Sequence, residues 1–288
     1  MKKVFIKKFL LLFVVTFCLT GCFRKDSLDQ VDIYTTVYPI EYVTEYLYKD
    51  HAKSIRSIYP AETSLKDYEL SKAQKKEYSS GDVFIYNGLT DERNTAKDLL
   101  NTNTKLKIID VSQGLDFDKS TLELWMNPND FLMLSHNVKN GLKEYISNKY
   151  IKEEIDEKYE ELKVLISEYD AELEIAVSAS DDKNIVIASS ELSYLKKYGF
   201  EIIDIDKDST ETNMNIAKDL HAAGKVKYVY MLDTDKKDVS VKALEAAGFE
   251  VKKLRSMTIR TEEEVKKDIK YDDMMRDNVD AIKAEVMN

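Results

Sequence analysis

Short apolar runs alternate with amphipathic stretches along most of the chain, and this pattern is the main guide to its fold. The first runs rich in Ile, Val and Tyr have the length and composition of β-strands; they cover residues 31–38, 54–59, 83–87 and 105–111. Helical patterns separate these runs, over residues 40–48, 65–78 and 92–100. The first part of the chain therefore predicts one lobe of alternating strands and helices.

A second set of the same kind follows further along the chain. Its predicted strands cover residues 184–188, 201–205, 227–232 and 250–254, and its predicted helices cover 191–198, 213–223, 239–247 and 262–286. Alternation of this kind is typical of parallel sheets that carry helices on both faces. We predict an α/β fold of two (β/α) lobes, each built on a mostly parallel four-stranded sheet.

The clearest helical pattern lies between the two sets. Charged residues fill the gaps in an apolar stripe with intervals of three and four residues, made by Ile151, Ile155, Tyr159, Leu162, Ile166, Tyr169 and Leu173. At 1.5 Å per residue this stretch would be about 34 Å long, and neither Gly nor Pro occurs from residue 142 to 198. We predict one long backbone helix over 149–178, which joins an N-terminal lobe over 31–148 to a C-terminal lobe over 179–288.

The first 21 residues have the pattern of a secretory signal. Lys2, Lys3, Lys7 and Lys8 precede a short apolar run over residues 9–17, which is shorter than the roughly 20 residues of a membrane-spanning helix. The run ends in Leu-Thr-Gly-Cys, the pattern of a lipobox, at residues 19–22. We therefore expect a signal peptide over 1–21, a lipid such as palmitate on Cys22, and a polar tether over 22–30. The protein would then be held on the extracytoplasmic face of the cell membrane.

Composition narrows the class of protein. The formal net charge is -10, and removal of residues 1–21 leaves 39 basic against 53 acidic residues, or -14. This balance argues against nucleic-acid binding, which needs a basic face. Cys18 leaves with the signal, so the mature domain has no disulfide. No nucleophile elbow, HExxH motif or phosphate-binding loop occurs, and we therefore expect no enzymatic activity.

Several segments behind the lipobox carry a family resemblance. They are Thr-Thr-Val-Tyr-Pro (35–39), Tyr-Pro (59–60) with Lys-Asp-Tyr-Glu (66–69), Val-Phe-Ile-Tyr-Asn-Gly-Leu (83–89), Glu-Leu-Trp-Met-Asn-Pro (123–128), Tyr-Leu with Tyr-Gly (194–199), and Tyr-Asp-Asp-Met-Met-Arg-Asp-Asn (271–278). In this order they resemble the solute-binding lipoproteins of zinc and manganese ABC transporters. The resemblance runs from about residue 31 to 287.

The resemblance implies two lobes joined by a long helix, an ABC permease as partner, and a zinc or manganese ion as the transported solute. It also implies four metal ligands in the cleft, usually histidines with one or two carboxylates. The matching positions here are Lys66, Glu123, Ser189 and Arg255. Only Glu123 is a good donor, because Arg255 keeps its proton and Ser189 is a weak ligand that could instead cap the next helix. No metal ligand set is therefore predicted, and zinc or manganese would bind only if the family activity is retained.

Three hypotheses follow from these positions. A metal receptor could have moved its site to carboxylates such as Glu62, Asp67, Glu123 and Glu191. A receptor for a non-metal anionic solute could use Lys66 and Arg255. A surface lipoprotein could keep the scaffold as a structural or interaction module.

For the cleft itself, we predict that Lys66, Glu123 and Arg255 converge between the lobes and replace the charge of the metal. The three histidines, His51, His136 and His221, lie outside the matching positions. We expect all three to be solvated surface residues.

Overall fold

The computed structural model describes residues 30–65, 68–114, 123–206 and 211–286. Four parallel strands form the sheet of the N-terminal lobe, in the order β2-β1-β3-β4. The elements of this lobe, in chain order, are β1 (Val31–Thr35), α1 (Tyr38–Tyr48), β2 (Ala52–Ser57), α2 (Lys72–Ser79), β3 (Val83–Tyr86), α3 (Glu92–Thr102) and β4 (Lys107–Asp110). β3 is central and all four of its residues are buried, as a strand covered on both faces requires.

The C-terminal lobe repeats this architecture, with strand order β6-β5-β7-β8 and every pairing parallel. Its strands are β5 (Asn184–Ile187), β6 (Glu201–Asp204), β7 (Tyr228–Leu232) and β8 (Glu250–Leu254). A 3₁₀ helix (Ser190–Tyr198), α6 (Glu211–Ala222) and α7 (Val239–Ala246) connect the strands. The predicted α/β class with two parallel four-stranded sheets is confirmed.

Three long helices unite the lobes: α4 (Pro128–Tyr145), α5 (Lys149–Ala179) and α9 (Tyr271–Val286). α5 has 31 residues, which corresponds to about 46 Å. All seven residues of the predicted apolar stripe are buried, and they belong to one core cluster that includes strand residues of both sheets. Phe131 of α4 stacks on Tyr271 of α9, with ring centroids 4.0 Å apart. The long linking helix is therefore part of a continuous core.

Several element boundaries differ from the sequence prediction. The helix predicted over 65–78 begins only at Lys72, because Ser71 and Gln74 form a capping box there. The closing helix predicted over 262–286 is two helices, α8 (Glu262–Lys266) and α9, and Asp268 between them has a φ of 52°. β1 ends at Thr35, three residues earlier than predicted, and α1 begins at Tyr38 with a proline in its first turn.

No helix within the described ranges is both long and apolar enough to cross a membrane. Cys22, the signal segment and most of the tether lie outside the described residues. Lipidation of Cys22 therefore stays a prediction.

Candidate functional site

The loop that follows β8 crosses from the C-terminal lobe to the N-terminal lobe and forms one wall of the cleft. The amide of Tyr38 donates to the carbonyl of Thr258 at 2.9 Å, and the amide of Glu62 donates to the carbonyl of Arg260 at 3.0 Å. The indole Nε1 of Trp125 donates to the carbonyl of Ser256 at 2.9 Å. These bonds bring residues 255–260 against the ends of β1 and β2 and the start of the segment that carries Glu123.

Glu123 lies in this cleft, directly before a 3₁₀ helix (Leu124–Met126). Its Oε1 accepts a hydrogen bond from the hydroxyl of Thr258 at 2.9 Å, whereas its buried Oε2 has no hydrogen-bond partner among the described residues. Burial raises the pKa of the Glu123 carboxyl to about 8, against the opposing effect of the Thr258 hydrogen bond. The carboxylates of Glu191, Asp235 and Asp233 raise this pKa further. The surroundings of Glu123 are therefore acidic, and its neutral form is favoured near neutral pH.

Ser189 is buried at the carboxyl end of β5, where its hydroxyl connects two neighbouring strands. The hydroxyl donates to Oδ2 of Asp235 at 2.6 Å and accepts from the amide of Leu232 at 2.9 Å. It does not cap the 3₁₀ helix that follows, so the cap that we considered from the sequence is absent at this position. Ser189 is a structural residue that holds the loop after β7 against the end of β5.

Arg255 begins the loop after β8 and is bound to the C-terminal helices. Its amide donates to Oδ1 of Asn278 at 2.8 Å, and Nδ2 of Asn278 donates to its carbonyl at 2.9 Å. The guanidinium pairs with Glu264 and with Asp277, the latter at 3.5 Å. The predicted pairing of Arg255 with Glu123 is therefore wrong for the residues that the structure describes, since Arg255 has two carboxylates on its own lobe. Lys66, its predicted partner in this cluster, lies outside the described residues, as does Asp67.

The carboxylates of the cleft do not form a ligand set in the described part of the chain. No group of three or more His, Cys, Asp or Glu side chains there is arranged to hold a metal ion. Asp233 uses its Oδ1 to accept the amide of Ser256 at 3.0 Å, and Asp235 accepts the hydroxyl of Ser189. Of the four carboxylates considered as an alternative metal site, Glu62, Glu123 and Glu191 are described and Asp67 is not.

The histidines lie apart from the cleft, and two of them are less exposed than we predicted. His136 is exposed on α4, as expected. His51 is partly buried and bonds Glu154 of α5 at 2.9 Å. His221 stacks on Phe249 with ring centroids 4.2 Å apart, and its Nδ1 donates to the carbonyl of Val226 at 2.8 Å. His51 and His221 are therefore only partly exposed to solvent, because each contacts a side chain of another segment.

Sequence reasoning missed a second group of side chains at the lobe junction. Arg260, Arg56 and Glu41 line a cavity of about 330 Å³ together with Tyr38 and Tyr59. The sequence contains a partial indication of this group, because Glu41 follows Tyr38 by three residues and therefore shares a face of α1 with this buried ring. No sequence pattern indicates that Arg260 belongs to this group, since its position depends on the loop that crosses between the lobes.

Comparisons with known proteins give a consistent result. The family described as zinc-uptake complex component A, periplasmic (ZnuA) matches residues 33–285. The fold is similar to that of the metal-dependent lipoprotein YcdH from Bacillus subtilis, with a TM-score of 0.75 and 19% identity over 90% of this chain and 100% of that chain. No curated protein sequence is significantly similar to the chain.

Two further structures are also similar in fold. The Zn(II)-bound ZnuA-like domain of AdcA from Streptococcus pneumoniae has a TM-score of 0.72 and 20% identity, over 90% of this chain and 100% of that domain. A Mn-bound Y68F mutant of a periplasmic metal binding protein from Candidatus Liberibacter asiaticus has a TM-score of 0.71 and 17% identity, over 89% and 99% of the two chains. Both neighbours share the two-lobed architecture described above.

Proposed function

Because the chain belongs to the ZnuA family of periplasmic zinc-uptake components, we propose that it is an extracytoplasmic solute-binding receptor, held on the membrane by lipid on Cys22, that delivers its solute to an ABC permease. The family is one of receptors rather than enzymes, and its members work outside the cytoplasm in association with the membrane. The lipid anchor rests on the lipobox at residues 19–22.

We further propose that the cleft does not bind zinc or manganese through the four positions that match the family's ligands. The observation that carries this proposal is the partnering of Ser189 and Arg255. The hydroxyl proton of Ser189 is used by Asp235, and the guanidinium of Arg255 is paired with Glu264 and Asp277. A zinc site needs about four donors with free lone pairs, and of these positions Glu123 alone supplies a carboxylate.

A carboxylate site for a metal cation is the second candidate. It is favoured by Oε2 of Glu123, which is buried and has no described partner, and by the nearby charges of Glu191, Asp233 and Asp235. A divalent cation that displaced the Glu123 proton would relieve the repulsion among these groups. Against it, the described carboxylates show no arrangement of three donors around one point.

Calorimetric titration of the metal-stripped mature protein with zinc and with manganese separates the two candidates. We expect no saturable binding at micromolar metal and no rise in melting temperature. The matched control is Glu160→Gln, a change on the exposed face of α5 where the Glu160 side chain is 62% exposed. Micromolar binding that survives in Glu160→Gln and is lost in Glu123→Gln would overturn the proposal and establish the carboxylate site.

A further inference from the structure

A cavity at the lobe junction has the composition of a small-molecule site. It measures about 330 Å³ and lies beside the ends of β1 and β2. The N-terminal lobe contributes Tyr38, Glu41, Arg56 and Tyr59 to its wall, and the C-terminal lobe contributes Ile259 and Arg260. Small-molecule sites usually measure about 300–1,000 Å³, so this cavity fits a ligand at the small end of that range.

Arg260 is the principal polar group of the cavity. Its guanidinium lies over the ring of Tyr38, with Cζ 4.1 Å from the ring centroid, and its side chain is only 18% exposed. Its ion pair is with Glu41, but the 4.0 Å separation of Nη2 and Oε1 is too long for a hydrogen bond. A guanidinium carries five N–H donors in a planar fork, and a carboxylate can accept two of them at once. Arg260 is therefore held in place by a ring, and its guanidinium has no hydrogen-bond partner among the described residues, which leaves its donors available to a ligand.

Arg56 adds a second positive charge on the opposite lobe. It lies near the end of β2, where its Nη2 donates to the hydroxyl of Tyr34 at 2.8 Å and its Cζ lies 5.0 Å from the centroid of the same ring. One nitrogen is thus used to fix this exposed side chain, which also lines the cavity. Both guanidinium groups are therefore in the cavity wall, although the net charge of the chain is -10.

Among the described residues of the cavity wall, Glu41 is the one carboxyl. Its partners are Arg260, which lowers its pKa, Glu45 on the same helix, which raises it, and a backbone donor at Ser57. Burial is the largest effect and raises the pKa of Glu41 to about 7. The wall therefore has one to two net positive charges near neutral pH, and an arriving anion would favour the protonated form of Glu41.

We propose that this interlobe cavity binds a small organic carboxylate. Arg260 donates hydrogen bonds to its carboxylate group, and its apolar part packs on the rings of Tyr38 and Tyr59. This inference rests on the proposed receptor function and names the solute class for it. The mainly aromatic and aliphatic wall favours a monocarboxylate with a short apolar body.

Glu41 makes the binding depend on pH. The charged groups that face it are Arg260 and Arg56 across the cavity and Glu45 along α1, and the neighbouring polar groups are Tyr38 and the Ser57 amide. A bound anion repels the ionised Glu41, so binding takes up a proton. The affinity for a carboxylate should therefore fall several-fold as the pH rises from 6 to 8.

Ligand-observed NMR or calorimetry on the mature protein tests this proposal with benzoate and isovalerate as probes, and inorganic phosphate as the competing anion. We expect saturable binding of at least one carboxylate at pH 6, with a Kd of about 1 mM or tighter, and weaker binding at pH 8. Arg260→Met should weaken it at least tenfold, Arg260→Lys should weaken it less, and Glu41→Gln should remove the pH dependence.

Arg276→Met is the matched control, because the Arg276 guanidinium also lies over a tyrosine ring, at 4.5 Å from the centroid of Tyr169, but outside the cavity. It should bind the probes like the natural protein, and melting curves of every variant confirm that it is folded. The absence of saturation by both carboxylates at pH 6 would overturn the proposal, as would preferential binding of phosphate or unchanged binding in Arg260→Met. The zinc titration above is a separate measurement, so failure here is distinguishable from failure of the metal proposal.

Discussion

Thr258 and Glu123 connect the two lobes through a single hydrogen bond, in which the Thr258 hydroxyl donates to Oε1 of Glu123 at 2.9 Å. They stand 135 residues apart in the chain. From the sequence we expected Glu123 to be an anion between two bases. Its described neighbours are instead a hydroxyl and three carboxylates. Burial and the three carboxylates raise its pKa and favour its protonated form, against the opposing effect of the hydroxyl.

This environment reverses the change in stability that we expected for the Glu123→Gln variant. A charged Glu123 between two bases would make the substitution destabilising. A protonated Glu123 resembles Gln in shape, so the variant should equal the natural protein near pH 4. At pH 8 it should be more stable by about 3–4 kcal/mol, because the unfolded natural chain gains stability by losing this proton. Urea denaturation at both pH values measures the difference.

Glu160→Gln serves again as the exposed control and should change the free energy of unfolding by less than about 0.5 kcal/mol. If Glu123→Gln is destabilised at pH 8, then Glu123 is ionised and paired with a cation. Lys66, which lies outside the described residues, would be the group to examine in that case.

Other buried carboxyls predict a pH dependence for the whole fold. Burial raises the pKa of Glu92 and of Glu285 to about 7, above the usual 4.5. A group whose pKa is raised by folding contributes stability that is fully present below its unfolded pKa and is lost as the pH rises through its folded pKa. The free energy of unfolding should therefore fall between about pH 4.5 and 7, by at most about 1.4 kcal/mol per pH unit for each carboxyl.

Urea denaturation at intervals from pH 4.5 to 8 checks this slope. Glu92→Gln should flatten it, since the amide oxygen can still accept the Asn87 amide that now donates to Oε2 at 2.9 Å. A stability that rises over the same range would show that these carboxyls are ionised in the folded protein.

The long helix α5 should contribute strongly to stability through its buried stripe. Leu162 is fully buried in the core that the two lobes share, so Leu162→Ala should cost about 2–5 kcal/mol. Val164 lies on the same helix with 62% exposure, and Val164→Ala should cost less than about 0.5 kcal/mol. Trp125 is the single tryptophan of the chain and lies at the lobe junction, so its fluorescence reports the unfolding directly. Equal costs for the two substitutions would contradict the assignment of the stripe to the core.

Lipidation is tested at its attachment residue. Cys22→Ala should abolish incorporation of labelled fatty acid and move the protein from the membrane fraction to the soluble fraction. Cys18→Ala removes the other cysteine of the chain and should leave labelling unchanged. A Cys22→Ala protein that remains labelled would contradict the proposed anchor.

The sequence predicted the architecture well because the strands and helices follow from local patterns of apolar and polar residues. Strand runs such as residues 83–86 are apolar or aromatic throughout, and the stripe from Ile151 to Leu173 repeats at the helical period. Both patterns reflect which faces must be buried, and burial dominates the stability of a fold. The predicted ends of helices were less accurate where a local hydrogen bond or a single backbone angle sets them. Examples are the capping box of Ser71 and Asp268, whose φ is 52°.

The contacts of the cleft depended on the tertiary structure alone. Nothing in the order of residues around Arg255 shows that Glu264 and Asp277 are closer to its guanidinium than Glu123 is. Likewise, Arg260 reaches the ring of Tyr38 only because the loop after β8 crosses to the other lobe. Hydrophobic periodicity is a property of neighbouring residues, and the sequence by itself therefore determined the class of fold and the face of each helix that is buried. The partner of a charged side chain depends on distances of a few ångströms between different segments of the chain, which only the folded chain establishes.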